Sequence, residues 1–127
     1  MTQETIVRLK ITSEVHEPDT ISEILGLSCD RGWKIGDMRS KTTIREKING
    51  WILGSGLEKT VPLDEQIEAL LKRLEPLREN IASLLPDINI EVSCVIYSES
   101  TPALNFDRGT VASISALGAS LDIDLYL

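Results

Sequence analysis

The stretch that decides the fold is Gly118-Ala119-Ser120-Leu121-Asp122-Ile123-Asp124-Leu125-Tyr126-Leu127, at the end of the chain. From Leu121 onward every second residue is apolar, and the residues between them are Asp122, Asp124 and Tyr126. Alternation with a period of two predicts a half-buried β-strand that has one apolar and one polar face. We expect this strand to lie in the interior of the structure, with Leu127 itself packed.

The composition is that of a globular protein. The 127 residues match the size of one domain, which we place over 1–127. A net charge of −7 without a run of Lys or Arg argues against partners such as nucleic acid or an anionic membrane surface. The chain has no secretory signal pattern and no long apolar run, and its two cysteines lack metal-type spacing. A disulfide between Cys29 and Cys94 is possible on number alone, but we expect a cytoplasmic protein in which both remain free thiols.

Two further segments alternate in the same way and predict strands over residues 6–12 and 88–98. In the second of them, Val95 and Tyr97 fall on the side that faces away from the predicted core.

Asn49-Gly50 lies between two strand-like runs, 42–48 and 51–53. An Asn-Gly pair in that position is the strongest short-range signal for a type I′ turn, because both central residues need a positive φ. The sequence therefore predicts a β-hairpin here.

Two short helices carry terminal signals. Pro18 suits a first helical turn and Gly26 the position just past the end, which predicts a helix over Pro18–Leu25. Asp107 is placed to cap a second short helix that Gly118 ends. The inward stripe predicted for this second helix is Val111, Ile114 and Leu117.

A longer helix is predicted over residues 63–85, where apolar residues recur at spacings of three and four. Pro76 removes one backbone hydrogen bond and crowds the preceding turn. Because the apolar stripe keeps its phase across Pro76, we predict one kinked helix.

These elements predict an α+β fold: a two-layer sandwich of about five mostly antiparallel strands with three helices on one face. The topology expected is a ferredoxin-like double βαβ plan with an added hairpin. In that order the last strand lies beside the first, so Asp122 and Asp124 would face Arg8 and Lys10 across the strand pair.

The acidic pair in the last strand has two interpretations. Asp122 and Asp124 would stand side by side, as carboxylates that bind a divalent metal do, but such a site needs more oxygen ligands than two. We therefore predict no metal site, and a solvated face paired with Arg and Lys. With Tyr126, these residues form a candidate surface for contact with a partner.

A second candidate site is the loop around Trp33, Asp37 and Arg39. A planar ligand could stack on Trp33 while Asp37 and Arg39 bind its polar edge. Alternatively, Trp33 covers the edge of the core and the two charged residues pair locally. Trp51 is explained either by core packing or by a contact with a ligand or interface.

Catalytic signatures are missing from the sequence. The single histidine, His16, has no nucleophile at a suitable spacing, and Gly54-Ser55-Gly56 lacks the frame of a nucleophile elbow and the lysine of a phosphate-binding loop. Cys94 takes an inward strand position that suits a small core residue. We predict no catalytic residues and no cofactor.

Several motifs resemble a known family, and they occur in order along nearly the whole chain. They are Trp33…Gly36-Asp37…Arg39, Trp51-Ile52-Leu53, Leu63-Asp64-Glu65-Gln66-Ile67, Thr101-Pro102-Ala103-Leu104, and the ending from Leu117 to Tyr126. They are similar to the bacterial family called domain of unknown function 4279. The resemblance implies a small cytoplasmic bacterial α+β domain and carries no catalytic residues over.

Three functional hypotheses follow. The first is a non-enzymatic module that binds another protein, as an inhibitor or immunity-type protein does, through the uncovered polar sheet face or the hairpin edge. The second is a small-molecule sensor or enzyme that uses loop 33–39 with Trp51. The third is a homodimer formed through sheet faces or edges.

Overall fold

The computed structural model describes residues 3–127, which form five strands, four α-helices and one 3₁₀ turn. The elements are β1 (Glu4–Ser13), α1 (Pro18–Leu25), β2 (Arg31–Trp33), β3 (Asn49–Gly54), α2 (Leu63–Leu74), a 3₁₀ turn (Glu75–Leu77), α3 (Arg78–Leu84), β4 (Asn89–Tyr97), α4 (Arg108–Ala116) and β5 (Ala119–Tyr126). The predicted α+β sandwich is confirmed. Over the described residues, no helix is both long and apolar enough to cross a membrane.

The sheet has the order β2-β3-β1-β4-β5. Neighbouring strands are antiparallel except β4 and β5, which are parallel and are connected through α4. A parallel pair needs such a crossover, because a tight turn can join only antiparallel strands. β1 lies at the centre, and its alternate residues Val7, Leu9 and Ile11 are buried against the helical layer.

The predicted position of the last strand is wrong. β5 is an edge strand that pairs with β4, and β4 separates it from β1. Both sides of β1 are already occupied, by β3 and β4, so the crossover through α4 can add β5 only outside β4. The ferredoxin-like order is therefore not confirmed, and Leu127, which was expected to be packed, is 74% exposed.

The predicted hairpin turn at Asn49-Gly50 is also wrong. Both residues are buried within β3 and pair with Ser13 and Thr12 of β1. The chain turns earlier, in the connection between β2 and β3, where the amide of Arg39 donates to the carbonyl of Ile44. The ring of Trp33 packs on Gly50 within the sheet and leaves no room there for a side chain.

The long helical segment is interrupted at Pro76. α2 and α3 are separate helices joined by the 3₁₀ turn that contains this proline, so the prediction of one kinked helix is wrong in detail. The apolar stripe itself is correct, since it supplies the buried residues Ile67, Leu70, Leu74, Ile81 and Leu84.

The terminal signals Gly26 and Asp107 of the two short helices are confirmed. The left-handed residue Gly26 follows α1, and the carboxylate of Asp107 accepts a hydrogen bond of 2.8 Å from the amide of Thr110 at the start of α4. That bond lowers the pKa of Asp107. Ile114 and Leu117 are buried as expected, but Val111, which was predicted to face inward, is 52% exposed.

Candidate functional site

Within residues 3–127, the helices pack against one face of the sheet and leave the other uncovered, and we call that uncovered face the open face. It is built from the alternate residues of the strands whose other residues enter the core. Its members are Glu4, Ile6, Arg8, Lys10 and Thr12 of β1, Glu91, Ser93, Val95 and Tyr97 of β4, and Ser120, Asp122, Asp124 and Tyr126 of β5.

The most exposed aromatic groups of this face form a pair. Tyr97 and Tyr126 are direct neighbours across β4 and β5, and their rings stack with centroids 5.1 Å apart. The two side chains are 46% and 53% exposed. The next row across the sheet holds Ile6, Val95 and Asp124, and its two aliphatic residues extend the apolar strip toward the centre. Exposed tyrosines beside aliphatic groups are typical of protein interfaces, where an amphipathic ring is buried at low entropic cost.

The cations of the open face, Arg8 and Lys10, lie on β1, whereas its carboxylates are spread over β1 (Glu4), β4 (Glu91) and β5 (Asp122 and Asp124). Arg8 and Asp122 both pair with Ser93, from opposite sides of β4, so the strands that carry them are two interstrand spacings apart, roughly 10 Å. The ion pairs found among residues 3–127 involve none of Arg8, Lys10, Asp122 or Asp124. The predicted pairing of the two aspartates with Arg8 and Lys10 is therefore wrong.

A cavity of about 260 Å³ opens beside Arg8 of the open face. Arg8 and Arg31 contribute to its wall, together with Ile52 and the Gly54-Ser55-Gly56 turn. The carboxylate of Asp30 is held in the same wall by a 2.7 Å hydrogen bond from the amide of Gly54.

The loop that contains Trp33, Asp37 and Arg39 uses its polar groups internally. Asp37 accepts a hydrogen bond of 2.8 Å from the amide of Lys34, and the Arg39 guanidinium binds Glu46 at 2.9 Å. Local pairing therefore occurs, but the partner of Arg39 is Glu46 rather than Asp37. The ring of Trp33 lies over Gly50, with the guanidinium of Arg31 5.4 Å from its centroid.

Trp51 is part of the core. Its side chain is fully buried, and its indole Nε1 donates a 2.9 Å hydrogen bond to Ser22 Oγ on α1. Trp33 pairs with Gly50, whereas Trp51 is the next residue of β3 and therefore faces the helical layer. The structure thus places the two tryptophans on opposite faces of the sheet and does not bring them into one site.

The other side chains with reactive chemistry are those of two cysteines and one histidine. Burial, and then the charge of Asp122, raises the pKa of the Cys94 thiol to about 12, so it is protonated and weakly nucleophilic at neutral pH. Both cysteines are free thiols. His16 lies 3.8 Å from the carboxylate of Asp87. Across the described range, 3–127, no three His, Cys, Asp or Glu side chains cluster as metal ligands would.

Sequence reasoning identified Tyr126 but missed the apolar strip formed by Ile6, Val95 and Tyr97. A signal was present, because Val95 and Tyr97 interrupt the polar side of an otherwise regular alternation. Contiguous apolar residues on the solvent side of a strand are a feature that many interaction surfaces share.

Comparison with known proteins supports one assignment. The model of the family described as "Domain of unknown function (DUF4279)" matches residues 3–127, essentially the whole chain. No curated protein and no solved structure matches the sequence significantly. Because that match covers essentially the whole chain, this protein belongs to the DUF4279 family.

Proposed function

We propose that this protein is a cytoplasmic, non-enzymatic module that binds another protein through the open face, in the manner of an inhibitor or immunity-type protein. The observation that carries the proposal is the exposed stack of Tyr97 on Tyr126 beside Ile6 and Val95. Burying these groups against a partner would remove apolar surface from water at about 25 cal/mol per Å².

The charges beside the strip favour binding to a specific partner over nonspecific hydrophobic association. Arg8 and Lys10 continue β1 beyond Ile6, and Asp122 and Asp124 lie on the other side of β4, in β5. None of the four takes part in an ion pair within residues 3–127. A partner with the opposite arrangement of charge would be oriented by this face, and like-charged surfaces would be rejected.

The alternative, a small-molecule site at loop 33–39 with Trp51, has less support. Asp37 and Arg39 already have partners within the loop, and Trp51 is fully buried. A ligand there would have to break these contacts before making its own.

Site-specific photo-crosslinking tests the proposal. A photoreactive phenylalanine analogue replaces Tyr97 on the open face, or the exposed Asn80 on the helical layer as the control. We expect a discrete protein adduct in cells from position 97 and none from position 80. The same adduct from both positions, or none from position 97, would contradict the assigned face.

The partner found in this way is then tested quantitatively. Replacing both Tyr97 and Tyr126 by Ala should weaken its binding by at least tenfold, since central aromatic residues supply most of the energy of typical interfaces. Lys72→Ala, on the helical layer, is the matched control and should bind normally. Equal affinities of the double variant and the native protein would refute the proposal.

A further inference from the structure

β5 leaves one row of backbone groups unpaired. The amide of Ser98 donates to the carbonyl of Tyr126 at 3.0 Å, so the backbone groups of Tyr126 point toward β4. Successive residues of a strand present their backbone groups to opposite sides, so Asp124 and Asp122 also face β4. The N–H and C=O groups of Leu121, Ile123 and Leu125 therefore face away from the sheet.

The two edges of the sheet differ greatly. β2 offers three residues, Arg31–Trp33, whereas β5 offers eight, Ala119–Tyr126. Long edge strands are usually protected by charged side chains, especially lysine, by proline or by a bulge, because a free edge invites another strand to pair with it. β5 contains neither lysine nor proline and pairs with β4 in unbroken register, and its only charged side chains are the acidic Asp122 and Asp124.

The charges on this edge indicate which strand would fit. Asp122 and Asp124 are exposed and belong to none of the ion pairs found in the described chain. The cationic residues of β1 lie two strand spacings away, whereas a strand added outside β5 would lie about 4.8 Å away. Lysine or arginine at alternate positions of that strand would therefore compensate the two carboxylates better than β1 does.

A second copy of this chain is a poor occupant. Antiparallel pairing of β5 with its own copy, centred on Ile123, would place Asp122 of each strand opposite Asp124 of the other. Like charges directly opposite each other destabilise a strand pair. In addition, each copy carries a net charge of −7, so the two copies repel each other. The edge thus favours a different, basic segment.

We propose that β5 binds an extended basic segment of a partner protein as a sixth strand, with cationic side chains over Asp122 and Asp124 and backbone hydrogen bonds to Leu121, Ile123 and Leu125. This mode of recognition takes its affinity from the main chain and its specificity from alternate side chains. The inference rests on the proposed protein-binding function and names the chemistry of the partner segment.

Amide hydrogen exchange in the full-length ¹⁵N-labelled protein tests the pairing directly. The probe is a capped octapeptide that alternates Lys and Val, N-methylated along one edge so that it cannot self-associate. An otherwise identical Glu-Val peptide is the control. We expect the Lys-Val peptide to slow exchange at Leu121, Ile123 and Leu125 and to leave the already bonded amides of Asp122 and Asp124 unchanged. Unchanged exchange at the three outward amides, or equal protection by the Glu-Val peptide, would overturn the inference.

Two sets of variants refine the test. Replacing Asp122 and Asp124 together by Asn should lower the affinity for the Lys-Val peptide by about fivefold. Glu91→Gln, on β4, should leave that affinity unchanged. Leu125→Pro removes one outward donor and should abolish binding while the amide spectrum of the rest of the sheet persists. If the Tyr97 crosslink forms but the outward amides of β5 stay unprotected by both the peptide and the crosslinked partner, the open-face function survives and the edge inference fails.

Discussion

The indole of Trp33 lies directly against the backbone of Gly50, its neighbour across β2 and β3. A Cβ atom added at Gly50 would overlap the ring carbons Cε2 and Cζ2 of Trp33. The absence of a side chain at position 50 is thus what allows the tryptophan to cover the edge of the sheet.

Replacing Gly50 by Ala should therefore destabilise the protein by about 2 kcal/mol, because the ring must move or the strand must shift. Urea denaturation followed by circular dichroism measures the loss. Gly109→Ala is the control: its added Cβ would meet the Asp107 carboxylate at 3.4 Å and improve a helical position, so stability should hold or rise. The loss at Gly50 should shrink when Trp33 is also replaced by Ala, and simple additivity of the two changes would contradict the contact.

Gln66 connects the start of α2 to two other segments. Its side chain is 1% exposed, and its amide nitrogen donates to the carbonyls of Thr5 at 2.7 Å and Val61 at 2.9 Å, while its oxygen accepts from Ser55 Oγ. Gln66→Met keeps the volume but leaves these buried groups without partners, so we expect a loss of about 3 kcal/mol. The exposed neighbour provides the control, since Glu65→Met should change the free energy of unfolding by roughly 0.5 kcal/mol or less. Equal effects at the two positions would be inconsistent with the network.

The thiol of Cys94 should make stability depend on alkaline pH. Its pKa is about 12 in the folded protein against 9.0 for an ordinary thiol, so above pH 9 the unfolded chain releases a proton that the native state keeps. The native state then loses roughly 1.4 kcal/mol per pH unit from this group as the pH rises from about 9 toward about 12.

Cys94→Val removes that group and keeps a small apolar side chain in the core. Urea denaturation at pH 8, 9 and 10 should show a shallower loss of stability in the variant than in the native protein. Parallel curves for the two proteins would exclude the buried thiol as the cause.

The two tryptophans should report different environments. A Trp33→Phe variant keeps only Trp51, which is fully buried and bonded to Ser22, so its fluorescence should be blue-shifted and resistant to iodide. A Trp51→Phe variant keeps the partly exposed Trp33 and should be quenched more readily. Strong iodide quenching in the Trp33→Phe variant would contradict the buried position of Trp51 and reopen a ligand role for it.

Much of the local structure was predictable from the sequence. The alternation of apolar residues located β1, β4 and β5, and the terminal signals Pro18, Gly26 and Asp107 located the short helices. Each of these features depends on neighbours within a few residues, which is the range over which backbone geometry and capping act.

Asn49-Gly50 shows where local reasoning failed. The pair suits a tight turn, but glycine equally suits a strand that must lie beneath a large ring, and the ring comes from Trp33, far earlier in the chain. The candidate site was also predictable only in part, because its residues come from segments that are distant along the chain. The strand pattern identified Asp122, Asp124 and Tyr126 as a polar surface, but the neighbour of Tyr126 is Tyr97, which only the parallel pairing of β4 with β5 reveals.

The sequence by itself determined which segments are strands and helices and which side of each strand is apolar, because those properties follow from residue periodicity. The tertiary structure decided the order of the strands, the edge position of β5 and the separation of its acids from the cations of β1. Strand order depends on which combination of long-range pairings buries the most apolar surface. That combination cannot be read from the residue pattern of any single segment.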